Sequence, residues 1–407
     1  LRLRRCMNPA AAGSRCIRSG RTALRPAGPL GLPLSYNKHK RLIEKRQKTP
    51  RGSDRAGHWR DSPVYTERTI RDRQRILPLL AACGLTLGGG ADETVGIFDE
   101  ADELIATGSL NGNMIQMVAV SPAHQGEDLT ARVLTHLVNR AMEKGLSSLY
   151  LFTKPEKADQ FSSLGFRKVA VARPYAALLE WGSGGIEPYC ETLRRIAAEN
   201  GDVDSAAVVM NCNPFTLGHR YLVETAACRS ERVYLLAVEE EKSEFSFEDR
   251  LLMIRHGVAH LPNVTVVPGG RYVVSSLTFP SYFTKEINLA KAHCSIDLEI
   301  FIRYIAPALH IRRRFVGSEP LSPVTGVYNQ TMKQILPPAG IEVIELARKE
   351  LLGVPVSASR VRALLGAGDW DSARALVPET TFAHLQSPAC AEAIRILQEK
   401  AGREPAK

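Results

Sequence analysis

The stretch that decides the fold is Ala206-Ala207-Val208-Val209-Met210-Asn211-Cys212-Asn213-Pro214-Phe215-Thr216-Leu217-Gly218-His219. Its first five residues are apolar without interruption, as in a strand of a parallel sheet covered on both faces. A proline-containing turn follows, and a helix is expected to open at Gly218-His219. A strand, a turn and a helix in that order place His219 and the first helical N–H groups at the carboxyl edge of a sheet. Anions bind there, because those N–H groups and the helix dipole favour negative charge. Gly218 would let a phosphate approach the backbone closely.

Downstream, strands predicted at Val233–Val238, Val264–Val267, Phe315–Val316 and Ile341–Ile344 alternate with helices near 220–228, 247–260, 284–292 and 324–335. That alternation predicts a doubly wound parallel sheet. Upstream the pattern differs. A helix from Ile70 to Ala82, interrupted by Pro78, leads to Gly88-Gly89-Gly90. Strands are predicted at Thr94–Phe98, Glu103–Gly108 and Met114–Val120. The next helix carries Leu129, Val133, Leu134, Leu137, Val138, Ala141 and Met142 at helical spacing. A strand at Leu149–Phe152, a short helix at Ala158–Leu164 and a last strand at Phe166–Val171 complete an α/β unit. Gly182-Ser183-Gly184-Gly185 reads as a linker, and a helix over Tyr189–Ala198 hands over to the second unit. The expected organisation is therefore a basic extension over 1–60, a first domain over 61–185, a second over 186–390 and a tail over 391–407.

The 407 residues are 44% hydrophobic and 24% charged, the balance of a globular protein with real cores. The net charge of +10 resides in one place: residues 1–60 hold 16 Lys/Arg against Glu44 and Asp54, and the rest is mildly acidic. Such a tail could meet nucleic acid or pass for a transit peptide. With no methionine at position 1 it reads instead as a disordered or spurious extension, and no nucleic-acid partner is expected. No apolar run is long enough to span a membrane. The eight cysteines form no CxxC pair and no cluster with histidine, so no metal ligand set and no disulfide framework are expected. Reduced thiols and a cytoplasmic location follow.

Thr216-Leu217-Gly218-His219 resembles the (T/H)xGH signature of the nucleotidylyltransferase superfamily. Val356-Ser357-Ala358-Ser359-Arg360-Val361-Arg362 resembles its second signature, ISSTxxR. Longer words narrow the resemblance. Asn213-Pro214-Phe215-Thr216-Leu217-Gly218-His219-Arg220-Tyr221-Leu222, Phe247-Glu248-Asp249-Arg250-Leu251 and Thr278-Phe279-Pro280-Ser281-Tyr282-Phe283 are similar to the citrate lyase ligase family. So are Ile296-Asp297-Leu298-Glu299-Ile300-Phe301, Phe315-Val316-Gly317-Ser318-Glu319-Pro320 and Tyr328-Asn329-Gln330. The likeness runs from about Val64 to Gln386. It implies an ATP-dependent, AMP-forming acid–thiol ligase. That enzyme activates acetate as acetyl-adenylate and acetylates the CoA-derived prosthetic group on the acyl carrier protein of citrate lyase. It implies His219, Thr216 and Arg362 as catalytic residues, and Asn213, Pro214, Phe215, Gly218, Ser357, Ser359 and Arg360 as nucleotide-binding. Glu319 and Arg250 are further nucleotide-pocket candidates, and Mg²⁺ is expected with ATP, held largely by phosphate and water.

Val118-Ala119-Val120-Ser121-Pro122 with His124-Gln125-Gly126-Glu127-Asp128, and later Leu164-Gly165-Phe166, resemble the acetyl-CoA loop and a late element of GNAT acetyltransferases. Asp128 stands where that pattern has a small residue, and a carboxylate there repels a pyrophosphate. The expectation is a GNAT-like fold without acetyltransferase activity, which docks the carrier's CoA-like arm through Val120, Gln125 and Gly126. Lys242 and Arg271 are weaker candidates for the nucleotide, and Cys212 reads as a small buried hydrophobe. Three alternatives remain: an adenylyltransferase acting on a mononucleotide or phosphopantetheine, a protein N-acetyltransferase, and a nucleic-acid-binding regulator.

Overall fold

The computed structural model describes residues 65–240, 243–273, 286–318, 323–351 and 353–403. These belong to one compact unit built on two sheets. The basic extension lies outside the described residues.

The first sheet has seven strands. In chain order they are β1 (Thr66–Thr69), β2 (Glu93–Phe98), β3 (Leu104–Asn111), β4 (Met114–Val120), β5 (Ser148–Thr153), β6 (Arg167–Ala172) and β7 (Ala176–Gly182). Their spatial order is β1-β2-β3-β4-β5-β7-β6. Neighbours run antiparallel except β4 and β5, which pair in parallel at Met114–Tyr150 and Ile115–Leu151. Helix α1 (Leu77–Ala82) carries Pro78 in its first turn, where a missing N–H costs nothing. Helices α2 (Leu129–Glu143) and α3 (Ala158–Ser163) cover one face, burying Leu129, Val133, Leu137 and Phe161 against Val95, Ile97, Leu110 and Leu151.

Two strands were not expected. β1 is four exposed polar residues at the sheet edge, with no apolar pattern to announce it. β7 lies between β5 and β6, and its Ala-Ala-Leu-Leu run carries no alternation because neighbours cover both faces.

The second sheet contains β8 (Ser205–Met210), β9 (Arg232–Ala237), β10 (Val264–Pro268), β11 (Ile311–Gly317) and β12 (Glu342–Leu346), in the order β10-β9-β8-β11-β12. All are parallel, and β8 is central. Residues alternate between the faces: Ala206, Val208 and Met210 join one core, Ala207 the other. Helices α5 (Leu217–Cys228) and α6 (Phe247–Val258) pack on the first core. Helices α4 (Ile186–Glu199), α7 (Glu286–Ile300) and α8 (Pro323–Ile335) belong to the second. The sheet is thus wound on both faces, as expected. β11 is longer than the predicted pair of residues because it absorbs Arg312, Arg313 and Arg314. Arg314 is nonetheless buried, stacked on the Phe301 ring at 4.4 Å and donating to the Tyr328 hydroxyl at 2.8 Å.

The carboxyl-terminal part folds into α9 (Ala358–Gly366), α10 (Trp370–Arg374), α11 (Glu379–Leu385) and α12 (Ala391–Arg403), of which only the first was expected.

The two sheets share a core. Phe98, Met117, Tyr150, Phe152 and Leu178 of the first sheet form one apolar cluster with Ile186, Tyr234, Leu236 and Tyr272. At the junction, buried Glu180 accepts from the Ile186 N–H at the start of α4 and from the Tyr272 hydroxyl at 2.7 Å, and pairs with Arg167. Gly182 takes φ +103° and packs against the Ser147 carbonyl. The glycines read as a linker therefore serve a close-packed joint rather than a spacer.

Candidate functional site

The site candidates gather at the carboxyl edge of the second sheet, where β8 ends and α5 begins. Thr216 is the N-cap of α5 and its hydroxyl accepts from the His219 N–H at 3.3 Å. In return the His219 Nδ1 accepts from the Thr216 N–H at 3.0 Å, closing a capping box in which histidine takes the place usual for glutamate. An accepting Nδ1 leaves the proton of the neutral ring on Nε2. Burial, assisted by the nearby Arg348 guanidinium, pushes the imidazole down to about 4. At neutral pH His219 is an uncharged donor with one fixed tautomer.

Phe215 sets the ring's place. It is fully buried, stacks on His219 at 5.8 Å between centroids, and lies against Gly257 of α6, where a Cβ would meet its ring at 2.3 Å. Phe215 was expected to touch nucleotide; its burial makes it the wedge behind the histidine instead. The backbone donors also differ from expectation. The Leu217 N–H donates to the Leu376 carbonyl at 2.9 Å and the His219 N–H to Thr216, so two first-turn donors are already committed.

The two motifs meet here. A Cβ on Gly218 would sit 3.1 Å from the Val356 carbonyl, so this glycine allows the second motif to approach closely. Ser357 caps α9 by accepting from the Arg360 N–H at 3.2 Å, while Ser359 and Arg360 are exposed on its first turn. Arg362 donates to the Asn213 carbonyl at 2.6 Å, and its Nε lies 3.2 Å from Glu244. The Asn213 side chain donates to the same Glu244 at 2.6 Å and accepts from the Phe245 N–H. Burial works to raise the Glu244 carboxyl, but Asn213 and Arg362 outweigh it and hold it below the usual range.

Arg250 was expected to reach the nucleotide. It is wholly buried, and it donates to the carbonyls of Asn211, Val238, Glu240 and Phe245 at 2.8 to 3.2 Å. These are the ends of β8 and β9 and the loop before α6, so Arg250 ties the edge together from beneath. Pro214 and Cys212 are buried as well, and burial holds the Cys212 thiol well above its ordinary range, in keeping with a small hydrophobe. Arg271 stacks over the Tyr150 ring at 5.5 Å, beside the first sheet. Glu319 and Lys242 lie outside the described residues.

Two residues of this edge went unsuggested by the motifs. Arg348 donates to the Ser318 carbonyl at 2.8 Å and is close enough to bias His219. Glu244 organises Asn213 and Arg362. Neither carries a local signal: an arginine after β12 and a glutamate in a loop become site residues only when the sheet brings them to His219 and Arg362.

In the first sheet, Val120 ends β4 and its carbonyl accepts from the Cys83 thiol at 3.2 Å. Gln125 and Gly126 are exposed just before α2. Asp128, its N-cap, sits at φ +55° and makes no side-chain cap, and Glu127 accepts from the Tyr65 hydroxyl. No helix among the described residues is long and apolar enough to cross a membrane.

Residues 205–385 match the family model described as the citrate lyase ligase C-terminal domain. The citrate (pro-3S)-lyase ligase of Klebsiella pneumoniae is 42% identical over 325 residues, which are 79% of this chain and 92% of that protein. That of Escherichia coli strain K12 is 39% identical over 308 residues, 73% of this chain and 86% of the relative. Among solved structures, a GNAT family acetyltransferase of Staphylococcus aureus is similar at 11% identity, covering 29% of this chain and 99% of that one, with a TM-score of 0.25. An Escherichia coli GNAT family N-acetyltransferase solved with CoA is similar at 12% identity over 31% of this chain and 85% of its own, with a TM-score of 0.24. At 37–42% identity over most of its length to three such ligases, the chain belongs to the citrate lyase ligase family.

Proposed function

We propose that this protein uses ATP to acetylate the prosthetic-group thiol on the acyl carrier protein of citrate lyase, by way of acetyl-adenylate, with release of AMP and pyrophosphate. The observation that carries this reading is 42% identity to a citrate (pro-3S)-lyase ligase along 92% of that enzyme. That span reaches beyond the matched carboxyl-terminal domain, so a simple adenylyltransferase with an unrelated first domain is the weaker reading.

A thiol does not displace oxygen from a carboxylate, because oxide is a poor leaving group. In the first half-reaction an acetate oxygen attacks the α-phosphorus and pyrophosphate leaves. In the second, the thiolate attacks the carbonyl carbon and AMP leaves. Charge grows on the pyrophosphate side in the first step, and fixed donors that meet it there lower the barrier. The neutral His219 Nε2–H is such a donor, held by Thr216 and Phe215 so that no reorganisation is needed at the moment of reaction. Arg348 and Arg362 supply positive charge, and Ser359 an exposed hydroxyl at the start of α9. The donor chemistry of this edge suits a triphosphate. Mg²⁺ would ride on it, since among the described residues the one cluster of metal-ligating side chains lies elsewhere.

For the first sheet, the reading is that Val120, Gln125 and Gly126 receive the carrier's CoA-like arm. Its shared core with the second sheet means that deleting residues 61–185 would unfold both, so substitutions must separate the roles. The test is ATP–pyrophosphate exchange with and without acetate, followed by transfer to the carrier thiol. Acetate-dependent exchange that disappears in His219→Ala supports the adenylation site. Exchange with a mononucleotide or a phosphopantetheine product in place of acetate overturns the reading. Gly126→Trp is expected to block transfer and spare exchange; loss of both, or of neither, removes the arm's docking site from the first sheet.

A further inference from the structure

Away from the adenylation edge, three side chains from separate elements converge: Asp249 in the first turn of α6, His384 in the last turn of α11, and Cys390 in the short turn before α12. One ligand atom from each lies within 4.8 Å of the other two. Asp249 and His384 are 135 residues apart in sequence, and no spacing rule could have joined them. The group is interior. Cys390 is fully buried, and the side chains of His384 and Asp249 are only 12% and 17% exposed.

Its chemistry is that of a ligand set. His384 Nε2 is 2.9 Å from Asp249 Oδ1, close to the separation of two ligand atoms on one small cation. The other oxygen, Oδ2, accepts from the Ser246 hydroxyl at 2.5 Å, the kind of outer contact that orients a ligating carboxylate. Sulfur, imidazole nitrogen and carboxylate oxygen together suit a borderline cation that accepts tetrahedral geometry.

We propose that Asp249, His384 and Cys390 bind one zinc ion. On binding, the Cys390 S–H bond gives way to a zinc–thiolate bond and its proton passes to solvent. The His384 ring changes tautomer: Nε2 releases the proton it had donated to Asp249 and Nδ1 takes one up from solvent, so the ring stays neutral and Nε2 is free to bind zinc. Zinc then lies between Nε2 and Oδ1, where the hydrogen bond had been, and water completes the tetrahedron. The ion staples α6, which carries Arg250, to the turn that leads into α12. That helix packs beside α9, the helix of the second motif, where Gly366 approaches the Leu397 carbonyl.

The experiment uses the full chain, expressed with zinc in the medium and purified without chelator. Elemental analysis is expected to find about one zinc per chain in the wild type, and little in Cys390→Ser or His384→Ala. Stripping with dipicolinate is expected to lower Tm by about 3–6 °C, and zinc but not magnesium to restore it. Cobalt in place of zinc is expected to give a thiolate charge-transfer band that Cys390→Ser lacks. This last readout needs only the wild type if the variants fold poorly. Wild-type protein that retains no zinc after equilibration, and shows no such band with cobalt, overturns the proposal.

Discussion

Two helices of this protein open just past the carboxyl end of a strand, and they are built in opposite ways. Helix α5 opens behind Thr216, buried and locked to His219 in a capping box, with Arg348 close by. Helix α2 opens behind Asp128, exposed, in the left-handed region, with no side-chain cap and with Glu127 beside it. Both starts have the backbone polarity that draws anions. At α2 the Asp128 side chain makes no cap and Glu127 accepts from Tyr65, so two carboxylates stand beside the start, whereas α5 spends two of its N–H groups on protein oxygens and presents a neutral imidazole instead. The two helix starts thus share their backbone polarity and differ in the side chains around them.

The sharpest way to break this contrast is to substitute both starts. His219→Ala is expected to lower acetate-dependent ATP–pyrophosphate exchange by about 10²–10³-fold, the usual cost of a fixed charge-stabilising donor. Asp128→Gly should leave exchange within about twofold, as surface changes away from a site do. Comparable losses would erase the difference between the two helices.

Next in size is Gly257→Val, which drives a side chain into the Phe215 ring and displaces His219 without touching it. A fall in kcat/KM of about tenfold or more is expected, since small misplacements of catalytic groups are costly. Unchanged kinetics would mean that Phe215 does not position the histidine. Thr216→Ala should cost about 1 kcal/mol of stability through the lost cap, measured by urea unfolding, while Thr216→Ser keeps cap and activity.

The pH dependence separates a neutral donor from a charged one. A free imidazole titrates near 6.5, and His219 is held down to about 4, chiefly by burial. Between those values the unfolded chain binds a proton that the native site refuses. Its contribution to stability is therefore complete above about pH 6.5 and declines as the pH falls toward 4. His219→Gln should remove this part of the decline, as read from paired unfolding curves. The smallest effect expected is a gain: Asp128→Gly relieves a left-handed non-glycine residue and should raise stability by about 0.5–1 kcal/mol.

Much of the second sheet was legible because its strands are buried on both faces and its helices alternate with them. The run Ala206–Met210 and the Thr216-Leu217-Gly218-His219 turn sit where their pattern placed them. Less visible were β1, polar and at an edge, and β7, whose unbroken apolar run does not separate strand from helix. Arg312-Arg313-Arg314 hid most of β11, since three arginines in a row look like a solvated face. Arg314 is tolerated inside only because Phe301 and Tyr328 close around it.

The sequence by itself determined the strand–helix alternation of the second sheet, the place of His219 at a sheet edge and the family resemblance, because hydrophobic period and turn chemistry are local. Tertiary structure decided what each polar residue does there. It turned Arg250 from a nucleotide ligand into a clamp on strand ends and Phe215 into a wedge. It brought Arg348 near His219 and Glu244 to Arg362, and gathered Asp249, His384 and Cys390. Those outcomes depend on contacts between residues far apart in the chain. Burial and charge at such contacts are properties of the packed molecule, which no local window of sequence contains.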